Sequence, residues 1–300
     1  MFPGQGAQFV GMGVTTAAEV PSAANLFAKA SEILGYDLLK RCAEGPKEVL
    51  DSTSVSQPAI FVASMAAVEK FKAVNGPDSI NEATVAMGLS LGEYSALCFA
   101  GAITFEDGVR VTKARGEAMQ AASDAAASGM VSVIGLNATK TAALCEEAEK
   151  QSGEKIAIAN YLCPGNYAVS GSAKACGVLQ KIAKPDFGAR MTVPLAVAGA
   201  FHTSYMSPAV PALEKFLEGV EVKVPRIPVI SNVDACAHSD PAVIKRILAK
   251  QVTSPVQWEA TMRGLLDGGY EEGYELGPGK VVAGIMKRTD KTAVVVNVEV

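Results

Sequence analysis

Apolar residues recur at helical spacing over 22–34 and over 58–74, where Ile60, Ala63, Ala67 and Phe71 share one face. Each stretch predicts a helix. The run "ATVAMG" at 83–88 is short, apolar and closed by glycine, the pattern of a buried strand. Thr104 and Asp107 read as a capping box, with Asp in place of the usual Glu or Gln, opening a helix over about 105–121.

Between 130 and 195 the pattern alternates more plainly. "MVSVIGL" predicts a strand and "TKTAALCEEAEKQ" an amphipathic helix. "KIAIAN" and "NYAVSG" predict two strands joined by the turn "YLCPG". "SAKACGVLQKIAK" follows as a helix and "ARMTVPL" as a last strand. This β-α-β-β-α-β order is the split βαβ, or ferredoxin-like, unit. Helical pattern returns at 203–218 and 241–251, and strands are expected at 227–232, 273–276 and 293–298. Strands alternating with helices on both sides of the small unit imply a mostly parallel α/β body. The chain therefore divides into a large α/β domain, residues 1–129 and 196–300, and an inserted ferredoxin-like subdomain, residues 130–195.

Composition narrows the classes. Half of the 300 residues are apolar, 49 %, and 19 % are charged, enough for a sizeable core. A net charge of −4 gives no global footprint for nucleic acid or an anionic membrane. The six cysteines are scattered and form no C-x-x-C, so they read as reduced, mostly buried thiols of a cytosol-like compartment. Cys236 and His238 lie two apart, but no second pair completes a metal site. The longest apolar run, "AIFVASMAAV", is too short to span a bilayer. The opening "MFPGQGAQ" shows no signal peptide.

Chemistry concentrates in a few places. Gly88-Leu89-Ser90-Leu91-Gly92 satisfies G-x-S-x-G, which in a nucleophile elbow turns the chain sharply from strand to helix and exposes the serine Oγ. So short a pattern also occurs as a plain turn. Here the expected strand precedes it and the helical "EYSALCFAG" follows, which favours the elbow. The N–H after the serine would then face a developing oxyanion. A serine nucleophile needs a base, and the chain has two histidines. His202, in "AGAFHTSYM", is the better candidate; His238, among turn formers, reads as an exposed surface residue. No acidic third member stands out, and a backbone or amide carbonyl could orient the imidazole instead. "PGQGAQ" at 3–8 is not a P-loop, and it is either a plain turn or a loop offering a backbone N–H to an oxyanion. Arg115, in "KARGEAMQ", is either a solvated arginine near Glu117 or a bidentate clamp for a carboxylate-bearing substrate.

Together these pieces resemble the malonyl-CoA:acyl carrier protein transacylase family. "PGQGAQ", "GLSLGEYSAL", "RGEAMQ", "NYLCPGNYAVSG", "AFHT", "PVISNVDA", "QVTSPVQW" and "ELGPGKVVAGIMKR" fall in that family's order and spacing along nearly the whole chain. The resemblance implies a hydrolase-like α/β domain carrying a ferredoxin-like subdomain. It implies that Ser90 is the acylated nucleophile, His202 its base, and the main-chain carbonyl of Gln251 the group that orients the imidazole. Gln5 and Leu91 would supply backbone N–H groups to an oxyanion hole, Arg115 would pair with the malonyl carboxylate, and Asn160 would line the substrate cleft. Phe201 matches the malonyl-selective variety. Lys287 and Arg288 are candidates for docking an acidic carrier protein, or else the solvated end of a helix. The partners implied are malonyl-CoA and acyl carrier protein, with no cofactor, no metal, no nucleic acid and no membrane. The expected state is a monomer in the plastid stroma or cytoplasm.

Two departures stand out. Bacterial members commonly carry His where this chain has Leu89, and leucine there looks more like the plastid enzymes of plants and algae. Members also begin with a strand before the GQG loop, of which only Met1 to Pro3 are present. The expected consequence is a parallel sheet short of a partner and a loosened loop at Gln5. The rival readings are a serine esterase or thioesterase on the same elbow, an acyltransferase for another acyl-CoA, and a non-catalytic carrier-docking module.

Overall fold

Eight strands are present in the computed structural model, which describes residues 1–300. In chain order they are β1 (Ala86–Met87), β2 (Ser128–Ile134), β3 (Ile156–Cys163), β4 (Asn166–Ser172), β5 (Met191–Pro194), β6 (Val229–Ile230), β7 (Glu272–Leu276) and β8 (Val294–Val298). In the large domain β1 pairs with β6 and β7 with β8, both in parallel. Residues 1–2 join the two pairs. The Phe2 N–H donates to the Met87 carbonyl at 2.9 Å, and the Leu89 N–H donates to the Phe2 carbonyl at 3.0 Å. On the other side the Met1 nitrogen donates to the Tyr274 carbonyl at 2.7 Å, and the Leu276 N–H donates to the Met1 carbonyl at 2.9 Å. The order is thus β6, β1, residues 1–2, β7, β8. The gap expected in the sheet is not there, because these two residues fill its narrow centre and Phe2 buries its ring against Phe99.

β1 and β6 are far shorter than the stretches 83–88 and 227–232 predict. Pro228 has no N–H with which to extend the ladder backwards. Forwards, the chain leaves β1 at the Gly88 turn and leaves β6 in a turn closed by Ser231 N–H to Cys236 O at 2.9 Å. Behind the sheet runs a helix, Thr53–Asn75, buried on all sides from Val55 to Val68. It begins five residues before the apolar pattern does, because Ser56 and Gln57 are buried polar residues. Beside it lies the Phe105–Asp124 helix. The Thr104 hydroxyl oxygen accepts from the Asp107 N–H at 3.1 Å and caps it.

The small subdomain contains β2 to β5 in the order β3-β4-β2-β5, antiparallel throughout. Helices Ala138–Ser152 and Ala173–Ile182 cover one face, packing Leu144 and Leu179 over Val131, Val133 and Val169. Met130, Ala159 and Ala168 instead join the core of the large domain. The β3–β4 turn is tighter than "YLCPG" suggests: β3 runs on to Cys163, leaving Pro164 and Gly165, with Gly165 at φ 75°. β3 also bonds outward to residue 256. The Tyr161 N–H donates to the Val256 carbonyl at 2.9 Å, and the Val256 N–H to the Ala159 carbonyl at 2.8 Å. No helix is long and apolar enough to cross a membrane.

Candidate active site

The turn out of β1 holds Ser90 at φ 51°, in the left-handed region. Glycine is required on both sides of it. A Cβ on Gly88 would lie 1.9 Å from the Gly92 carbonyl, and one on Gly92 would lie 2.4 Å from the Phe2 oxygen. A non-glycine residue in this conformation costs about 1–2 kcal/mol. Asn232 offsets that cost by bridging the turn: its Oδ1 accepts from the Ser90 N–H at 2.5 Å and its Nδ2 donates to the Gly88 carbonyl at 2.8 Å. The helix Gly92–Phe99 starts directly after the serine.

The loop of residues 3–6 lies against this turn, since a Cβ on Gly4 would meet the Leu89 oxygen at 2.3 Å. The Gln5 side chain donates to the Thr53 hydroxyl at 3.3 Å. The backbone N–H groups of Gln5 and Leu91 donate to no group of the chain. Both are therefore free donors, Leu91 next to the serine in the chain and Gln5 on the loop packed against its turn.

His202, also left-handed at φ 60°, is anchored by its own N–H on the Val252 carbonyl at 3.0 Å. Its Nε2 is 2.9 Å from Ser90 Oγ, and its Nδ1 is 2.9 Å from the Gln251 main-chain oxygen. A carbonyl can only accept, so Nδ1 carries the proton and Nε2 is left to accept from the serine hydroxyl. The ring is 4 % exposed. Burial, helped by the nearby Arg115 charge, lowers its pKa to about 4 and keeps it a neutral base. No carboxylate bonds to it.

The structure excludes the solvated reading of Arg115. It is 1 % exposed and not a solvated neighbour of Glu117. Gly116 lets its helix approach the Thr53–Asn75 helix, because a Cβ there would lie 2.7 Å from the Thr53 oxygen. The guanidinium donates through Nη1 to Gln57 Oε1 at 2.8 Å, and through Nη2 to Ser90 Oγ at 3.0 Å and Gln251 Oε1 at 2.9 Å. Its Nε–H is buried without a partner. A desolvated cation with a spare donor beside the Ser90 hydroxyl is able to receive an anion.

Three members of the site escaped the sequence reading. Gln57 and Asn232 orient Arg115 and Ser90. Glu93, 3 % exposed, accepts on Oε2 from the Asn232 N–H at 2.9 Å and from Gln251 Nε2 at 2.8 Å. Burial pushes its pKa up to about 7, against these two hydrogen bonds. No local signal marks them in the sequence, because each gains its role through a partner far along the chain.

The remaining candidates lie at varying distance. The register shift between Ile158 and Asn160 pairs Asn160 with Ala168, so the bulge turns this amide to the face shared with the large domain. A cleft of about 330 Å³ opens between Ala157 and Ser170 of that sheet and His202, Thr203 and Tyr205. Phe201 is buried in the main core. Lys287 and Arg288 are exposed at the end of the Val281–Thr289 helix and make no ion pair. Inner residues of that helix, Val282 and Ile285, join Leu89, Met87, Cys163, Trp258 and Met262 in an apolar cluster behind the elbow. His238 is half-buried rather than exposed, with Nε2 3.0 Å from Asp234 Oδ2, and takes no part. No three His, Cys, Asp or Glu side chains are grouped to hold a metal ion.

The acyl transferase domain family matches residues 1–300. The human mitochondrial malonyl-CoA-acyl carrier protein transacylase is 42 % identical over 303 residues, spanning 98 % of this chain and 77 % of its own. Among solved structures, an acyl carrier protein S-malonyltransferase from Vibrio cholerae superposes with a TM-score of 0.92 at 38 % identity, covering 99 % of this chain and 95 % of that one. A malonyl-transacylase in complex with its type II PKS acyl-carrier protein superposes with a TM-score of 0.93 at 34 % identity, covering 99 % and 94 %. With a family match over the full length and relatives this close, the chain belongs to the acyl transferase domain family, among the malonyl-CoA-acyl carrier protein transacylases.

Proposed function

We propose that this chain moves a malonyl group from CoA to the pantetheine thiol of an acyl carrier protein through a malonyl-Ser90 intermediate, supplying extender units for fatty acid synthesis. The observation that carries this reading is the buried Arg115 guanidinium, 3.0 Å from Ser90 Oγ. His202 takes the serine proton at Nε2 while its Nδ1–H stays on the Gln251 carbonyl, so Ser90 attacks the thioester carbon with no acid needed. The free N–H groups of Gln5 and Leu91 receive the oxyanion. Removing one such donor typically costs roughly 10²–10³ in rate. The CoA thiol leaves with the proton from His202. The carrier thiol then gives its proton to the same ring and attacks the ester.

Arg115 holds the free carboxylate through both steps. Asn160 lines the path of the pantetheine arm, and Phe201 restricts branching next to the acyl carbonyl. Lys287 and Arg288, unpaired and exposed, receive the acidic carrier protein. The chemistry calls for no cofactor. Free thiols support a reducing compartment, plastid stroma or cytoplasm, with Leu89 favouring the plastid, and a monomer suffices because every residue named comes from one chain.

The test is the intact mass after incubation with malonyl-CoA. One malonyl adduct on the wild type and none on Ser90→Ala is expected. Rapid release of free malonate without a thiol acceptor would instead make the protein a hydrolase.

A further inference from the structure

The guanidinium of Arg115 is desolvated, yet the groups beside it are neutral: two glutamine carbonyls, the serine hydroxyl and the Tyr94 ring, whose centroid is 5.5 Å from Cζ. A buried charge needs a compensating one. Glu93 is linked to it through a single side-chain amide. Gln251 turns its Oε1 to the Arg115 Nη2 at 2.9 Å and its Nε2 to the Glu93 Oε2 at 2.8 Å. The amide dipole is aligned with both ends, carbonyl toward the cation and N–H toward the anion. The same Oε2 accepts the Asn232 N–H, so the carboxylate is held in the layer beneath the elbow.

We propose that Glu93 is the resting counter-charge of Arg115, and that a malonyl carboxylate seated on Arg115 replaces it and drives a proton onto Glu93, so that this buried acid sets the balance between carboxylate-bearing and neutral acyl groups. The proposal rests on the reading of Arg115 as the carboxylate clamp. With the clamp empty, Arg115⁺ and Glu93⁻ neutralise each other. A malonyl group adds a second anion, and two carboxylates cannot share one buried cation without one of them being neutralised. The substrate carboxylate stays ionised above pH 5, which leaves Glu93 as the site of protonation, in keeping with a pKa already raised to about 7 by burial. An acetyl group makes no such demand.

The transfer itself is proton-neutral, because the Ser90 hydroxyl proton passes through His202 to the departing CoA thiol. The proton gained by Glu93 comes from solvent and returns there when the malonyl group is removed. The other groups facing Glu93 do not mimic this behaviour. Arg115 remains charged, the Tyr94 phenol is pushed up to about 12 by burial, and His202, across Gln251, acts on both acyl groups alike.

The experiment is single-turnover acylation of Ser90 by malonyl-CoA and by acetyl-CoA between pH 6 and 8.5, with a pH-indicator dye recording proton uptake. In the wild type the malonyl-to-acetyl rate ratio should fall roughly tenfold as pH rises through 7, the size of a like-charge interaction across such a bridge. Malonylation, and not acetylation, should take up a fraction of a proton per Ser90. In Glu93→Gln the amide oxygen still accepts from Asn232 and Gln251 while the charge is gone. The ratio should then stay at its low-pH value throughout, with no uptake. A ratio that falls equally in Glu93→Gln, or a wild type that takes up no proton, overturns the proposal, and the wild-type uptake decides if the variant does not fold. Arg115→Ala separates the two layers: loss of malonyl preference there alongside an unchanged slope in Glu93→Gln removes the Glu93 assignment alone, whereas retained preference removes the clamp as well.

Discussion

Replacing Arg115 by alanine is the most discriminating perturbation of this site. The guanidinium spends three N–H contacts on Gln57, Ser90 and Gln251, and its buried Nε–H remains free for a substrate. Two charge-assisted hydrogen bonds to a malonyl carboxylate contribute about 3–6 kcal/mol, taking about 1.5–3 kcal/mol each. Malonyl kcat/KM should therefore fall by roughly 10²–10⁴. An acetyl group has no carboxylate to lose. Its transfer forfeits only the Nη2 bond to Ser90 Oγ, and removal of the nearby charge lets the His202 pKa rise from about 4, making a stronger base. Acetyl kcat/KM should hold within about tenfold, or increase. Both constants come from CoA release with a carrier protein or pantetheine acceptor, alongside a thermal melt, because the change leaves a cavity and two glutamine oxygens without a donor. Equal losses for the two acyl groups in a folded variant would refute the clamp.

Three further outcomes are expected. Asn232→Ala removes both bonds that brace the elbow, and should cost about 1–3 kcal/mol in a denaturant titration and lower the acylation rate with little change in KM; an unchanged rate would mean that the Ser90 backbone holds its φ unaided. Because the His202 pKa lies below its ordinary value, the base is already unprotonated at neutral pH, so acetyl transfer should be flat from pH 6 to 8 and fall only as pH drops toward about 4; a profile with its midpoint near 6.5 would contradict the burial argument. Leu89→Ala opens the apolar cluster behind the elbow and should destabilise the fold by about 2–4 kcal/mol. It should also speed hydrolysis of the malonyl-enzyme in the absence of thiol, and mass spectrometry over time would show an unchanged ester lifetime if the leucine merely packs.

Much of the fold can be read from local pattern, and the failures share one cause. The small subdomain is legible because each of its elements carries its own signal: Asn137 and Gly153 bound its first helix, and Pro164-Gly165 its tight turn. β1 and β6 are not, since two-residue strands are defined by their partners and by the proline and turns around them. Ser90 and His202 declare themselves through the glycine pattern and the scarcity of histidine. Arg115 does not, because nothing local distinguishes a buried arginine from a solvated one; its burial follows from Gly116, from Gln57 on another helix and from Gln251 far along the chain. Glu93 and Gln57 likewise read as surface residues until the packing encloses them.

The segment 251–256 ties the imidazole to the small sheet. Gln251 and Val252 hold the imidazole by its ring and by its backbone, while Val256, four residues on, is bonded to β3 on both its N–H and its carbonyl. A tilt of the small sheet that preserves those two bonds pulls directly on the mooring of the base. On the proposed reading, the aperture that a long thiol arm would enter and the alignment of His202 with Ser90 would be one mechanical variable, so an arm that wedged the cleft open would also disturb that alignment.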